Sequence, residues 1–264
     1  MIRETYDSYN DGKKPEDLGD FKPIEMTDKF GIWKSDDKRE IVISVRGISL
    51  NNAEDFKTLT TEIIPNYSGG LRGGELSRDE RLRSATNFGS NMNEDYKDLE
   101  EALRRLETEY EDYYVKVAGH SRGGGLALRL GRSYDIETHA YAPISSVRKL
   151  YKSGGGRSPK SGGGYDPQNI HIYYTAEDTA PKFLREHKIG SYSNENHYLV
   201  QPKEEVLKNE GRAMALIGMS GHSINHFVEG PTMNTLEPNL EPNLGPNLGP
   251  NLGPNLGPNL GPNL

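Results

Sequence analysis

The chain contains no cysteine among its 264 residues. This absence excludes disulfide bonds, thiolate metal sites and a cysteine nucleophile. The chain also has no apolar run near the roughly 20 residues that a membrane-spanning helix needs. Residues 1–14 lack the apolar core of a secretory signal. We therefore expect a protein without a membrane span, located in the cytoplasm.

Hydrophobic residues and positive charge are also scarce. Hydrophobic side chains make up 33% of the chain, the mean hydropathy is −0.79, and the formal net charge is −7 at pH 7. An acidic chain lacks the basic surface that neutralises nucleic-acid phosphates, so a nucleic-acid partner is not expected. The length still allows one α/β domain with a substantial core.

The most informative motif is a G-x-S-x-G sequence at residues 119–123, with Ser121 at its centre. An apolar strand pattern precedes it at 113–118, and a helix-compatible segment follows at 126–130. Strand, sharp turn and helix in this order are typical of a nucleophile elbow, which presents a serine where free backbone N–H groups can stabilise an oxyanion. A tight turn without a catalytic role gives the same short pattern. The motif therefore indicates a catalytic site only together with the other residues that catalysis requires.

Hydrophobic periodicity predicts the elements around this motif. Residues 1–28 are polar and are expected to form an extended lead-in, followed by a hairpin of two strands and a helix over 53–64. An apolar stripe predicts a long helix that is capped by Asn93. Further strands are predicted at three places: 138–142, 170–175 and 197–200. This alternation predicts an α/β fold in which a mostly parallel sheet is flanked by helices over residues 29–232.

Three segments have unusual composition. Residues 66–93 are rich in glycine and charge and are expected to form a lid or a surface loop. Residues 153–164 are expected to form a flexible glycine-rich loop. Residues 237–264 repeat the units EPNL and GPNL, and a proline at every fourth position excludes a helix. We expect a disordered repeat tail whose partner is unknown.

A nucleophilic serine needs a base and an orienting acid, which α/β hydrolases supply from later strands in the order serine, acid, histidine. Asp178 follows one predicted strand and His222 follows the last one, so the chain has this order. The predicted triad is therefore Ser121, Asp178 and His222, with the histidine transferring the proton and the aspartate orienting it. His226 is an alternative base, and Glu177 is an alternative acid.

The remaining histidines are expected to be structural. His120 adjoins the nucleophile and is expected to pack against the elbow or to hydrogen-bond to it. Four others lie in strands or polar segments and are given no catalytic role: His139, His171, His187 and His197. No metal ion and no organic cofactor are predicted.

Several motifs together resemble the class 3 lipase family of α/β hydrolases. An apolar strand at 41–45 is followed by Arg46 and Gly47, Asp55 comes next, and the elbow ends in two glycines. The resemblance covers residues 30–228. It implies an α/β-hydrolase fold, a lipase-like or esterase-like serine hydrolase, and a small-molecule ester or lipid as substrate. It also implies an oxyanion hole formed by the backbone N–H groups of Ile48 and Arg122.

The sequence departs from the family motif at three positions. Val45 stands where the family has phenylalanine, Ile48 where it has threonine or serine, and Arg122 where it has leucine. Ile48 offers no hydroxyl donor, and the Arg122 guanidinium would either favour an anionic substrate or extend to solvent. A non-catalytic structural or interaction protein of the same fold therefore stays open. An esterase, a peptidase and an acyltransferase would all use the same residues.

Overall fold

The computed structural model describes residues 1–12, 14–49, 55, 78–144, 166–175, 195–207 and 223–227. In this part of the chain, helices and strands follow one another in the order α1 (Ile2–Asp11), β1 (Lys22–Met26), β2 (Phe30–Ser35), β3 (Glu40–Val45), α2 (Arg78–Glu109), β4 (Tyr114–His120), α3 (Arg122–Tyr134), β5 (Thr138–Tyr141), β6 (Ile170–Thr175) and β7 (Asn196–Val200).

The seven strands of the described residues belong to one sheet, in which they lie side by side in sequence order. The strands β1, β2 and β3 pair antiparallel, whereas β3 to β7 run parallel. The predicted hairpin and the predicted mostly parallel sheet are thus confirmed. Parallel strands end at the same edge of a sheet, so the C-terminal ends of β3, β4, β5 and β6 lie together there.

The core forms where the central strands are covered on both faces. Strand β3 has the continuous apolar run that a doubly covered strand needs, and its last five residues are buried. Helices α2 and α3 pack on one face through Leu99, Leu103 and Leu126. On the opposite face, Trp33 and Val42 form a second cluster with the chain around β1. Among the described residues, no helix is both long and apolar enough to span a membrane.

Helix α2 is longer than the sequence pattern predicts. Its apolar stripe is confirmed, because Tyr96, Leu99, Leu103 and Leu106 are all buried. The helix begins at Arg78, however, so the expected surface loop over 66–93 is wrong for residues 78–93, and the predicted capping residue lies inside the helix. The alternative of a lid stays a prediction. Extending an existing helix costs much less free energy than nucleating one, so the packed half can support the polar half. Residues 66–77 lie outside the described residues.

The N-terminal segment also differs from its prediction. Residues 1–28 contain helix α1 and strand β1 instead of an extended lead-in. In α1, Ile2, Thr5 and Tyr6 are buried at helical spacing, and Gly12 ends the helix in a left-handed conformation with φ of 62°. The polar composition concealed this narrow buried face.

Several predicted segments lie outside the described residues. These are the helix over 53–64, apart from residue 55, the glycine-rich loop at 153–164 and the repeat tail at 237–264. Among the predicted site residues, Asp178, Glu177 and His222 also lie outside them, as does His187.

Candidate active site

Ser121 lies between β4 and α3, as the strand, turn and helix pattern predicts. Its backbone has φ of 56° and ψ of −124°, a strained conformation for a residue with a side chain. Three hydrogen bonds hold it: its N–H donates to the Tyr141 carbonyl at 2.9 Å, and its carbonyl accepts from Gly125 at 3.1 Å and from Ile144 at 2.9 Å. A strained and firmly held serine is the signature of a nucleophile elbow.

The glycines of the elbow are required by close backbone contacts. A Cβ atom on Gly119 would collide with the Gly123 carbonyl, and a Cβ atom on Gly123 would collide with the carbonyls of Val45 and Arg46. The elbow therefore packs directly against the chain that leaves β3. This contact brings the predicted oxyanion loop, residues 46–49, next to the serine.

Side chains hold the oxyanion loop on both sides of Ile48. The Gly47 N–H donates to the Tyr6 hydroxyl at 2.7 Å, and the Ser49 N–H donates to the Asp55 carboxylate at 2.9 Å. The Ile48 N–H, which lies between them, bonds no described residue. Ile48 is half-buried and packs against the main core, so its backbone is fixed although its amide has no such partner. This is the arrangement that a backbone oxyanion donor needs.

Arg46 fastens the loop further. Its guanidinium lies 2.5 Å from the Asp55 carboxylate, donates to the Gly47 carbonyl at 2.9 Å and also bonds the Asp28 carbonyl. The Tyr9 ring lies 3.6 Å below it in a cation–π contact. The arginine, the glycine and the aspartate of the resemblance therefore form one positioning unit.

Tyr6 connects helix α1 to the nucleophile turn. Its hydroxyl lies 2.9 Å from Nδ1 of His120, and the two rings meet edge to face at 5.9 Å. Because Gly47 donates to the phenol oxygen, we assign the phenol proton to the bond with Nδ1 and the imidazole proton to Nε2. Burial raises the pKa of Tyr6 above its ordinary value, which keeps the phenol neutral. His120 is thus buried and hydrogen-bonded, as a structural residue is expected to be, and its ring bonds Tyr6 of α1. Its direct support of the elbow stays a prediction.

Sequence reasoning missed the role of Tyr6. The available signal was the spacing of Ile2, Tyr6 and Tyr9, which repeats at the helical four- and three-residue steps. The segment was assigned to an extended lead-in, so the stripe was not used.

The Arg122 side chain adopts neither of the two arrangements that the sequence suggested. Its guanidinium pairs with Asp95 of α2, and Lys29 binds the same carboxylate at 3.1 Å. The charge therefore neither extends to solvent nor is left for an anionic substrate. Within the described chain, Nε of Arg122 has no hydrogen-bond partner, and a small cavity lies between this arginine, Gly47 and Asp95. The Arg122 N–H opens α3 and lies in the first helical turn, where amides have no intrahelical acceptor.

The segment 223–227 approaches the end of β5. The Phe227 ring packs on the Tyr141 ring at 5.5 Å, and Tyr141 in turn accepts the hydrogen bond from Ser121. His226 is buried, and its Nδ1 accepts the Lys203 N–H at 3.1 Å. A triad histidine must donate from Nδ1 and accept at Nε2. Because the Lys203 N–H can only donate, we assign the His226 proton to Nε2, the reverse of the triad tautomer. His226 as the alternative base stays a prediction.

Comparison with known proteins gives one family match. The family model described as Lipase (class 3) matches residues 42–148. This range includes the last four residues of β3, the predicted oxyanion loop, Asp55, α2 and the whole elbow. No curated protein matches the sequence significantly.

Solved structures similar to the chain include several fungal lipases. The lipase from Rhizopus microsporus var. chinensis is 16% identical, with 76% of this chain and 74% of that chain covered and a TM-score of 0.43. Lipase II from Rhizopus niveus is 15% identical, with 76% of this chain and 80% of that chain covered and the same TM-score of 0.43. Lip2 lipase from Yarrowia lipolytica is 18% identical, with 62% of each chain covered and a TM-score of 0.38.

Proposed function

We propose that this chain, which matches the class 3 lipase family model over residues 42–148, is a carboxylic ester hydrolase that cleaves its ester through a covalent acyl-enzyme on Ser121. The observation that carries the proposal is the strained backbone of Ser121, held by three hydrogen bonds, beside a loop in which the Ile48 amide bonds no residue of the described chain. A turn without chemistry has no need of either feature.

The proposed oxyanion hole consists of the backbone N–H groups of Ile48 and Arg122. The two bonded amides that flank Ile48 support this role, because they fix the peptide plane before substrate binds. The position of Arg122 at the start of α3 supports the second donor. No side-chain hydroxyl is required, which accounts for isoleucine at a position where the family has threonine or serine.

The proposed triad completes the mechanism. His222 takes the proton from Ser121 as its oxygen attacks the ester carbonyl, and returns it to the leaving alcohol. Asp178 orients the imidazole, and water then hydrolyses the acyl-enzyme by the same steps. Two observations support these assignments. Strand β6 ends at Thr175, three residues before Asp178, and the segment that directly follows His222 packs on Tyr141 through Phe227.

The proposed substrate is an uncharged ester with a lipid or small acyl group. The cation nearest the nucleophile in sequence, Arg122, is neutralised by Asp95, so it supplies no attraction for an anionic group. An uncharged acyl chain needs no such partner.

Labelling with a fluorophosphonate tests the proposal. We expect one label per chain, located on Ser121 by peptide mapping, and no label on Ser121→Ala or His222→Ala. Matched controls are Ser133→Ala in α3 and His197→Ala in β7, which should both label as the wild type does. A folded wild-type protein that takes no label, or a label elsewhere, would contradict the proposal and favour the non-catalytic alternative. Hydrolysis of p-nitrophenyl esters of increasing chain length then defines the acyl group.

A further inference from the structure

A second cluster of chemically reactive side chains lies on β5 and β6. Glu137 directly precedes β5, His139 lies within it, and His171 is the register partner of His139 on β6. One potential ligand atom from each of the three residues lies within 4.8 Å of the others. Sequence reasoning gave the two histidines structural roles, because it could not show that their strands are neighbours.

We propose that Glu137, His139 and His171 bind a divalent transition-metal ion, with Zn²⁺ as the best fit. Two imidazoles and one carboxylate are a common three-ligand set for zinc, and water supplies the fourth position of its tetrahedron. Imidazole ligands favour zinc and its neighbours over Mg²⁺ and Ca²⁺, which prefer oxygen ligands alone. The register of the parallel strands holds the two imidazoles side by side, with ring centroids 4.8 Å apart and an angle of 9° between the planes.

Two tyrosine hydroxyls bond the imidazole nitrogens that would not contact the ion, and such bonds orient the ligands in metal sites. The Tyr173 hydroxyl lies 3.2 Å from Nδ1 of His139, and the Tyr198 hydroxyl lies 3.1 Å from Nδ1 of His171. Both bonds use Nδ1 and leave Nε2 for an ion. Fixing the tautomer in this way raises metal affinity. At present Nε2 of His139 lies 2.8 Å from Glu137 Oε1, a contact that a shared ion would replace.

The surrounding charges favour a cation. Lys116 lies 3.4 Å from Glu137 Oε2, but it is closer to Glu40, at 3.0 Å. Two carboxylates therefore face one ammonium group, and the cluster keeps a net negative charge when the histidines are neutral. The side chains of Glu137 and His139 are about a quarter exposed, at 24% and 27%, so an ion can reach them.

The cluster is separate from the nucleophile. Ala118 is the register partner of His139, and Ser121 lies three residues further along, or about 10 Å at the rise of a β-strand. An ion at this distance does not contact an ester carbonyl bound at the serine. We assign it a structural role, in which it joins β5 to β6 and so stabilises the part of the sheet that follows the elbow.

Zinc titration of the full-length chain, stripped with a chelator, tests the proposal. We expect one ion per chain with a Kd of about 10 μM or tighter by calorimetry, and a Tm that rises with zinc concentration by mass action. Co²⁺ should give visible absorption bands typical of nitrogen and oxygen ligation. Stripped and zinc-loaded proteins should react equally with fluorophosphonate, which keeps this test independent of the proposed hydrolase.

Phenylalanine variants separate metal binding from ring packing. His139→Phe and His171→Phe keep an aromatic ring in the stack and should each lose about 100-fold or more in zinc affinity, while Tyr173→Phe should lose about 10-fold. His197→Phe is the matched control, because this histidine is the register partner of Ile172, whose side chain lies on the opposite face of the sheet from His171, and it contacts Tyr174. Zinc binding that is equal in all variants, or absent from the wild type at about 100 μM, would overturn the proposal. Far-ultraviolet circular dichroism confirms that each variant is folded.

Discussion

The phenol oxygen of Tyr6 lies 2.7 Å from the Gly47 amide nitrogen and 2.9 Å from Nδ1 of His120, so one hydroxyl joins the oxyanion loop to the residue before the nucleophile. The two segments it bridges are far apart in sequence, and each provides one of the proposed oxyanion donors. The spacing of these donors therefore depends on helix α1, which lies outside the family match.

Tyr6→Phe should lower both activity and stability. The change leaves two buried polar groups without their partner, which costs about 1–3 kcal/mol of unfolding free energy. A displaced oxyanion loop should lower kcat about tenfold with little change in KM, because the loop acts on the transition state. Chemical denaturation and ester kinetics measure the two effects. Tyr9→Phe, which keeps its ring under Arg46, is the control. A Tyr6→Phe protein with the wild-type kcat would show that the Tyr6 hydroxyl has only a structural role.

Ser121→Gly should be inactive yet more stable than Ser121→Ala. Both variants lack the nucleophile, but glycine adopts φ of 56° with ψ of −124° without the steric cost that alanine pays. We expect a difference of about 1–3 kcal/mol in unfolding free energy. Thermal denaturation of the two variants side by side measures it. Equal stability would mean that the elbow relaxes when the serine hydroxyl is removed.

The pair of Arg122 with Asp95 should show strong coupling. Asp95→Asn leaves a largely buried guanidinium without its carboxylate and should cost about 2–4 kcal/mol. Arg122→Leu restores the residue of the family motif and should cost less, because Asp95 keeps its contact with Lys29. The double variant should be more stable than the sum of the single changes predicts. Additive losses in a double-mutant cycle would show that the pair contributes no specific interaction.

Alkaline pH should destabilise the protein through Tyr141. Burial raises the pKa of Tyr141 from 10.0 to about 12, so the folded state retains a proton that the unfolded chain releases. The contribution of Tyr141 to the free energy of unfolding is constant below pH 10. It falls by about 2–3 kcal/mol in total as the pH rises from 10 to 12. Tyr141→Phe keeps the ring stack and should reduce the loss. Urea denaturation between pH 9 and pH 11.5 measures the slope, which should differ between the two proteins only above pH 10.

The elements that sequence patterns predicted are those whose residues specify structure locally. Strand β3 was evident from its continuous apolar run, and the elbow from the glycines that its backbone contacts require. The polar half of α2 was missed because residues 78–93 combine a glycine with many charges, as surface loops do. Helix α1 was missed because its buried face is only a few residues wide.

Features that depend on which elements meet in space were beyond the sequence. The partner of Arg122 could not be predicted, because the approach of Asp95 depends on how α2 packs against α3. The adjacency of His139 and His171 likewise depends on the strand order of the sheet. Asp178 and His222 remain predictions that rest on their order in the chain.

The three hydrogen bonds that hold the Ser121 peptide groups also affect how the protein loses activity. Because they connect β4, α3 and the chain after β5, the turn can open only when the centre of the sheet opens. Its amide protons should therefore exchange with solvent as slowly as those of β3. Heat should abolish the proposed esterase activity only when the whole domain unfolds.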